Sequence, residues 1–164
     1  MDNILFCSCG RRATLLKYFK KSMNGCGKIV AVDVSPTAPA LFMADENFLV
    51  PRIDDPTYFD KILEICNKCN IKAITTLIDP EIELLANKRE ELIANGILPL
   101  CPEKTTAQLC FNKYEMFKHL RSKGVRTILT YDSLEGLKEG INKGEISFPV
   151  FMKPINGSGS VGIG

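Results

Sequence analysis

Short apolar runs alternate with longer amphipathic stretches along the first hundred residues of the chain. The apolar runs predict β-strands at residues 4–9, 28–34, 47–50, 71–78 and 97–100. Helical spacing of apolar residues predicts helices at 12–22 and between the later strands. Strands that read as continuous apolar runs are buried on both faces. The pattern therefore predicts an α/β fold, with a mostly parallel Rossmann-like sheet and helices on both faces.

Asp-Pro pairs precede two of the predicted helices. Asp55 stands before Pro56, and Asp79 stands before Pro80. Aspartate is a favoured N-cap and proline a favoured first helical residue. We therefore expect both aspartates to cap helices, and Asn95 to end the second of them.

The alternation changes after Pro102. The pattern predicts a short helix at 105–110 and a helix from Asn112 to Gly124, with Asn112 as its cap and Glu115 three residues on. A strand at 125–130, a helix at 133–143 and a strand at 148–153 follow. We therefore predict two domains, residues 1–101 and 102–164.

Composition and charge argue against a nucleic-acid-binding protein and against a membrane protein. The net charge is +2, and Lys17, Lys20 and Lys21 fall on the solvated side of one helix, so we expect no nucleic-acid partner. No apolar run approaches the ~20 residues that span a bilayer, and the first residues do not read as a signal peptide. These features predict a cytoplasmic protein with no membrane partner.

Seven cysteines are present, and Cys66 and Cys69 have the C-x-x-C spacing of redox and zinc sites. There is no second C-x-x-C, and His119 is the single histidine. A structural zinc ion needs four such ligands. We therefore predict reduced core thiols and no metal site in this chain.

The loop after the first strand contains Gly10, Arg11 and Arg12, and Asp33 follows the second strand. A dinucleotide-binding fold has a similar layout, but its fingerprint needs three glycines and only Gly10 is present. Two arginines at a positive helix N-terminus favour a nearby anion, either a ligand or an acidic side chain. The alternative is that both arginines simply point into water.

The last residues form a Gly/Ser loop that follows Lys153. Glycines let backbone N–H groups approach phosphate oxygens, and a lysine adds a positive charge beside them. The pattern is not a Walker loop, because no Gly-Lys-Ser/Thr follows the glycines. The expected phosphate contacts are Lys153, Gly157, Ser158, Gly159, Ser160 and Gly162. Taken alone, such a loop is equally typical of a flexible linker.

In context, the run FPVFMKP followed by GSGSVGI resembles the ATP-grasp superfamily. Lys113 resembles the second nucleotide-contacting lysine of that superfamily, although Asn112 replaces the usual aspartate. The motifs CGRR, DVSPTAPAL and LIDPEI resemble short-form relatives of the carbamoyl-phosphate synthase large subunit. The resemblance covers essentially the whole chain.

The resemblance implies a pre-ATP-grasp domain followed by the first α+β part of an ATP-grasp domain. It implies a fragment of an ATP-dependent ligase that joins a carboxylate to an amine or ammonia through an acyl phosphate, inactive as the isolated chain. ATP and Mg²⁺ are the implied cofactors, with the metal ligands in a further lobe. The implied substrate-side residues are Gly10, Arg11, Arg12, Asp33, Asp79 and Glu81. The alternative is a non-catalytic Rossmann-like module that binds a nucleotide or metabolite.

Several apolar residues near the end of the chain would lose their cover in such a fragment. They are Val150, Met152, Val161 and Ile163. Exposed apolar patches favour association. We therefore also predict a homo-oligomer.

Overall fold

The computed structural model describes residues 2–157. The chain divides into two compact units, Met1–Pro102 and Glu103–Gly164. This division falls next to the predicted boundary, and the identities of the two units as pre-ATP-grasp domain and start of an ATP-grasp domain stay predictions. Within the described residues, no helix is long and apolar enough to cross a membrane.

The first unit is built on a five-stranded parallel sheet. Its strands are β1 (Asn3–Cys7), β2 (Ile29–Asp33), β3 (Glu46–Leu49), β4 (Ile71–Thr76) and β5 (Leu98–Pro99). They are ordered β3-β2-β1-β4-β5, so the first strand lies at the centre. Leu5 pairs with Val30 on one side and with Ile74 on the other. The predicted α/β class and the parallel sheet are confirmed.

Helices cover both faces of this sheet. They are α1 (Ala13–Met23), a 3₁₀ helix (Pro39–Met43), α2 (Tyr58–Lys68), α3 (Asp79–Asn87) and α4 (Arg89–Ala94). Successive strand residues point to opposite faces. Phe6 therefore packs in one cluster with Leu16 of α1, while Leu5 packs in the other with residues of α2, α3 and α4.

The Asp-Pro pairs do not cap helices as predicted. The helix after Asp55 begins only at Tyr58, and Asp55 instead accepts hydrogen bonds from the backbone N–H and the hydroxyl of Thr57. Asp79 is the first residue of α3 rather than its cap, and the cap position is Ile78. An aspartate followed by proline can form a local turn as readily as a cap, because its short side chain reaches the backbone two residues on.

The second unit contains three helices among its described residues: α5 (Lys104–Phe111), α6 (Lys113–Ser122) and α7 (Leu134–Asn142). Asn112 caps α6 as predicted, and Ser133 caps α7. The predicted strands at 125–130 and 148–153 are wrong. A strand exists only as a member of a hydrogen-bonded ladder, and neither segment pairs with another strand in the part of the chain that the structure describes.

Candidate functional site

The carboxyl ends of β1, β2 and β4 meet at one edge of the central sheet. Because β1 lies between β2 and β4, the chain connections leave it in opposite directions. Parallel sheets bind ligands in the crevice at such a switch point. Gly10 follows β1, Asp33 ends β2, and Asp79 follows β4, so the predicted substrate-side residues come from the three strands at this crevice.

Asp33 holds the loop that follows β1. The Gly10 N–H donates to its Oδ2 at 2.7 Å, and the Ser35 N–H donates to its Oδ1 at 2.9 Å. The Asp33 side chain is buried, so these bonds are not weakened by water. Gly10 has a φ of +49°, a conformation that suits glycine. Asp33 therefore shapes the loop, with both carboxylate oxygens already bonded.

Arg11 and Arg12 are exposed at the same edge. Arg12 occupies the N-cap position of α1 without a capping side-chain hydrogen bond, and the first turn contains no acidic residue. The positive end of the helix dipole adds to the charge of the two guanidinium groups. The arrangement favours a negatively charged group in front of the Gly10 loop.

Glu81 is completely buried beneath this edge. The hydroxyls of Tyr58 and Thr76 donate to its two carboxylate oxygens. Burial raises the pKa of the Glu81 carboxyl, and hydrogen bonds from Thr76, Tyr58 and Ser8 oppose that rise. Glu81 was expected on the substrate side, but in this structure its carboxyl has no exposed surface for a ligand to contact.

Asp79 is exposed at the start of α3, on the loop that leaves β4. The structure thus joins Gly10 and Asp33 by a direct bond and leaves Arg11, Arg12 and Asp79 exposed. Sequence analysis missed Tyr58 and Thr76. The sequence carries no signal for them, because Tyr58 reads as an apolar helix residue and Thr76 as an ordinary strand residue.

The thiols of the C-x-x-C pair are buried, as predicted. Cys66 and Cys69 are both free, and burial raises the pKa of Cys66 to about 12. A thiol of that pKa is protonated and unreactive near neutral pH. Among the described residues, no group of His, Cys, Asp or Glu side chains could hold a metal ion.

The N-terminus of α6 forms the candidate nucleotide side in the second unit. The Asn112 side chain accepts hydrogen bonds from the N–H groups of Tyr114 and Glu115 at 3.1 and 3.0 Å. The N–H of Lys113 donates to the Ile155 carbonyl at 3.1 Å. The N–H of Asn112 itself donates to the Gln108 carbonyl at 3.1 Å. All four otherwise free N–H groups of this helix end are therefore satisfied.

The Lys113 side chain reaches the beginning of the Gly/Ser loop. Its Nζ donates to the carbonyls of Ile155 and Gly157 at 3.3 and 2.8 Å. Two elements that were separately predicted to contact a nucleotide are thus in contact with each other. Sequence analysis expected a role for each in binding phosphate, but it did not predict this contact.

Lys153 is exposed, a short distance along the chain from Gly157. The other predicted loop residues, Ser158, Gly159, Ser160 and Gly162, lie outside the described residues, as do Val161 and Ile163. Glu145 accepts a hydrogen bond from the Tyr131 hydroxyl at 3.3 Å.

Met152, one of the apolar residues expected to lose their cover, is 72% exposed. Homo-oligomerisation stays a prediction.

Residues 4–100, most of the first unit, match the family described as PylC-like, N-terminal domain. A curated relative is the formate-dependent phosphoribosylglycinamide formyltransferase of Prochlorococcus marinus subsp. pastoris. It is 25% identical over an alignment of 142 positions that covers 82% of this chain and 33% of the relative. The chain therefore spans about a third of that protein's length.

Solved structures of the same fold include two ligases or synthetases. The L-amino acid ligase of Bacillus licheniformis is 19% identical, with a TM-score of 0.69 over 99% of this chain and 37% of its own. The N5-carboxyaminoimidazole ribonucleotide synthetase of Thermotoga maritima is 19% identical, with a TM-score of 0.64 over 96% of this chain and 40% of its own.

A third solved structure is the biotin carboxylase domain of 2-oxoglutarate carboxylase from Hydrogenobacter thermophilus, in complex with MgADP, ADP and bicarbonate. It is 21% identical, with a TM-score of 0.69 over 99% of this chain and 36% of its own. At these identities the likeness shows a shared fold.

Proposed function

The chain belongs to the family of PylC-like N-terminal domains, within the ATP-grasp superfamily that its motifs indicated, and from this premise we propose that it is part of an ATP-dependent ligase. The reaction joins a carboxylate to an amine or ammonia. The narrower relationship to carbamoyl-phosphate synthase stays a prediction, since the relatives reported above carry the names of other activities.

The chemistry needs activation of the carboxylate. A carboxylate oxygen attacks the γ-phosphorus of ATP, ADP leaves, and an acyl phosphate results; the amine then attacks the carbonyl carbon, and phosphate leaves. In such a transfer the protein contributes chiefly positioning and electrostatic stabilisation. We assign charge neutralisation at the phosphates to Lys113 and Lys153, and close backbone approach to Gly157 and the loop after it.

The contact between Lys113 and Gly157 is the observation that carries this proposal. Lys113 and the loop are separated by about forty residues in sequence, yet the ammonium group lies 2.8 Å from the Gly157 carbonyl oxygen. A linker would not require a lysine at that position. The contact supports a shared binding site in which the ammonium group and the glycine loop face the same phosphate.

We assign the substrate acid to the edge of the first unit. The exposed guanidinium groups of Arg11 and Arg12 offer several N–H donors to a carboxylate or phosphate. Asp33 acts through the Gly10 loop rather than by direct contact, because both its oxygens are bonded. Asp79 is exposed and acidic, which suits an amine.

The residues described here fit a nucleotide phosphate better than they fit Mg²⁺. Mg²⁺ prefers one or two carboxylates together with phosphate oxygens. From residue 147 to residue 164 the sequence contains neither Asp nor Glu. If Mg²⁺ takes part, as it does in the MgADP complex of the Hydrogenobacter carboxylase domain, its carboxylate ligands come from outside this segment.

The lysine assignments are tested in the complete enzyme of which we propose this chain is a part. Lys113→Ala and Lys153→Ala should each cost about 2–4 kcal/mol of transition-state stabilisation, because each removes a charge aimed at phosphate. Lys123→Ala, an exposed lysine at the other end of α6, is the matched control. Wild-type kcat/KM in both variants would refute the assignment.

For the 164-residue chain by itself we expect no ligase activity and weak nucleotide binding. A glycine loop and two lysines supply electrostatic contacts but little apolar burial for adenine. Calorimetry with Mg-ATP should give a Kd no tighter than about 0.1–1 mM. Micromolar binding, or ADP release with a carboxylate and an amine present, would show a more complete site.

Tighter binding of NAD than of ATP would favour the alternative of a non-catalytic dinucleotide-binding module.

A further inference from the structure

Lys113 makes three hydrogen bonds to the segment that leads into the Gly/Ser loop. Its backbone N–H donates to the Ile155 carbonyl at 3.1 Å, and its Nζ donates to the same oxygen at 3.3 Å and to the Gly157 carbonyl at 2.8 Å. A lysine whose only role was to attract phosphate would not need to donate hydrogen bonds to these two carbonyl oxygens.

We infer that Lys113 is a positioning residue that fixes the entrance of the phosphate loop, residues 155–157, against the start of α6 before a nucleotide arrives. The inference rests on the proposed function, because it gives the same lysine a second task at the same site. Fixing a binding loop in advance removes part of the ordering cost of binding.

The chemistry of the contact supports this role. An ammonium group has three N–H donors, and the two carbonyls use at most two of them, which leaves one for a phosphate oxygen. Hydrogen bonds from a charged donor are about twice as strong as neutral ones. Gly157 has a φ of +116°, so the chain turns at the bonded carbonyl in a conformation that side chains rarely adopt. Lys113 therefore bonds the loop at Gly157, a residue whose backbone has more conformational freedom than that of other residue types.

The fold allows the side chain to be removed without loss of the helix. Asn112 caps α6, and the backbone N–H of residue 113 is present in any variant except proline. Lys113→Met keeps an unbranched side chain of similar length, with a thioether sulfur in place of one methylene, and removes the ammonium group. Lys153→Met and Lys123→Met remove the same charge from exposed positions, and among the described residues neither lysine donates a side-chain hydrogen bond to residues 155–157.

The amide of residue 113 reports on this contact directly, because it is the donor to Ile155. Hydrogen exchange by NMR, on the 164-residue chain without nucleotide, should be faster at the amide of residue 113 in Lys113→Met, on the order of tenfold, because this N–H is the donor to the Ile155 carbonyl. Lys113→Arg should restore part of the protection, since its guanidinium group also donates to carbonyls. Lys153→Met and Lys123→Met should exchange as the wild type does.

Unchanged exchange in Lys113→Met, or an equal change in Lys123→Met, would overturn the inference. The proposed function is decided by a separate measurement, titration of the same variants with Mg-ATP. If Lys113→Met loosens the loop while neither Lys113→Met nor Lys153→Met weakens ATP binding relative to Lys123→Met, the positioning role stands and the nucleotide assignment fails. If Lys113→Met and Lys153→Met weaken ATP binding and the exchange of amide 113 is unchanged, the nucleotide assignment stands and the positioning role fails.

Discussion

The buried carboxyl of Glu81 is the least typical single residue of the first unit. Carboxylates are rarely fully buried, and those that are need hydrogen-bond partners. Glu81 has such partners in Tyr58 from α2 and Thr76 from β4. The side chain therefore ties α2 and α3 to the end of a central strand, just below the exposed arginines.

Burial should make this carboxyl a source of pH-dependent stability. The pKa of Glu81 is raised from its ordinary value of 4.5, so the folded chain retains the proton to a higher pH than the unfolded chain does. As the pH rises above about 4.5, the contribution of Glu81 to the free energy of unfolding should fall until Glu81 ionises in the folded state. Glu81→Gln removes this titration and keeps an oxygen that can accept from Tyr58.

The measurement is urea unfolding of the wild type and Glu81→Gln at several pH values. Relative to the wild type, Glu81→Gln should become more stable as the pH rises from 4.5 to 8. Other carboxyls cancel in the comparison because both chains contain them. A difference in free energy of unfolding that does not change with pH would contradict the expected shift.

Individual helices and strands were predictable to the extent that a local pattern decides them. β1 and β2 are mostly apolar and buried, and Asn112 and Ser133 cap α6 and α7 with their own side chains. The segments 125–130 and 148–153 also contain apolar residues, but neither has a ladder partner within residues 2–157, and no local pattern reveals this.

The candidate site was predictable in its parts and not in its connections. A single sequence identified Lys113 and Gly157 by motif, and it identified Gly10 and Asp33 by their positions after strands. The hydrogen bonds from Gly10 to Asp33 and from Lys113 to Gly157 join residues that are far apart in the sequence. No local pattern predicts such bonds. The burial of Glu81 likewise depends on where α2 packs, so the sequence could not show that its carboxyl is enclosed.

The cap of α6 gives a prediction for this element. Asn112→Ala should lower the helix content of α6, because two N–H groups lose their acceptor, which costs a helix about 1 kcal/mol. Asn112→Asp keeps an acceptor oxygen and adds a negative charge at the positive helix end, so it should be neutral or stabilising. Helical circular dichroism during urea titration measures both. Equal destabilisation by Ala and Asp would contradict a capping role.

The two units differ in how much core each contains. Both apolar clusters lie within Met1–Pro102, whereas Ala107 and Gly140 are the only buried residues among 103–157. Apolar burial is the main favourable term in folding. The first unit should therefore be the stable part of the chain.

Fragments test this difference. Residues 1–102 alone should unfold in a single cooperative transition with urea, and residues 103–164 alone should show no cooperative transition. A domain of about 60 residues is marginal even with a complete core. Circular dichroism of the two fragments measures this, with the 164-residue chain as reference. Cooperative unfolding of fragment 103–164 would show that it has a core of its own.

The central place of β1 has a consequence for the order in which the molecule is made. β1 leaves the ribosome before the other four strands, yet one of its edges is completed only by β4, whose Ile74 is synthesised more than forty residues after Val30 of β2. At typical synthesis rates this interval lasts a few seconds. During that time the nascent chain exposes an apolar strand edge that can pair with other chains. Chains truncated at Asn70 should therefore aggregate, and chains that continue to Pro102 should not, when the two are compared by light scattering.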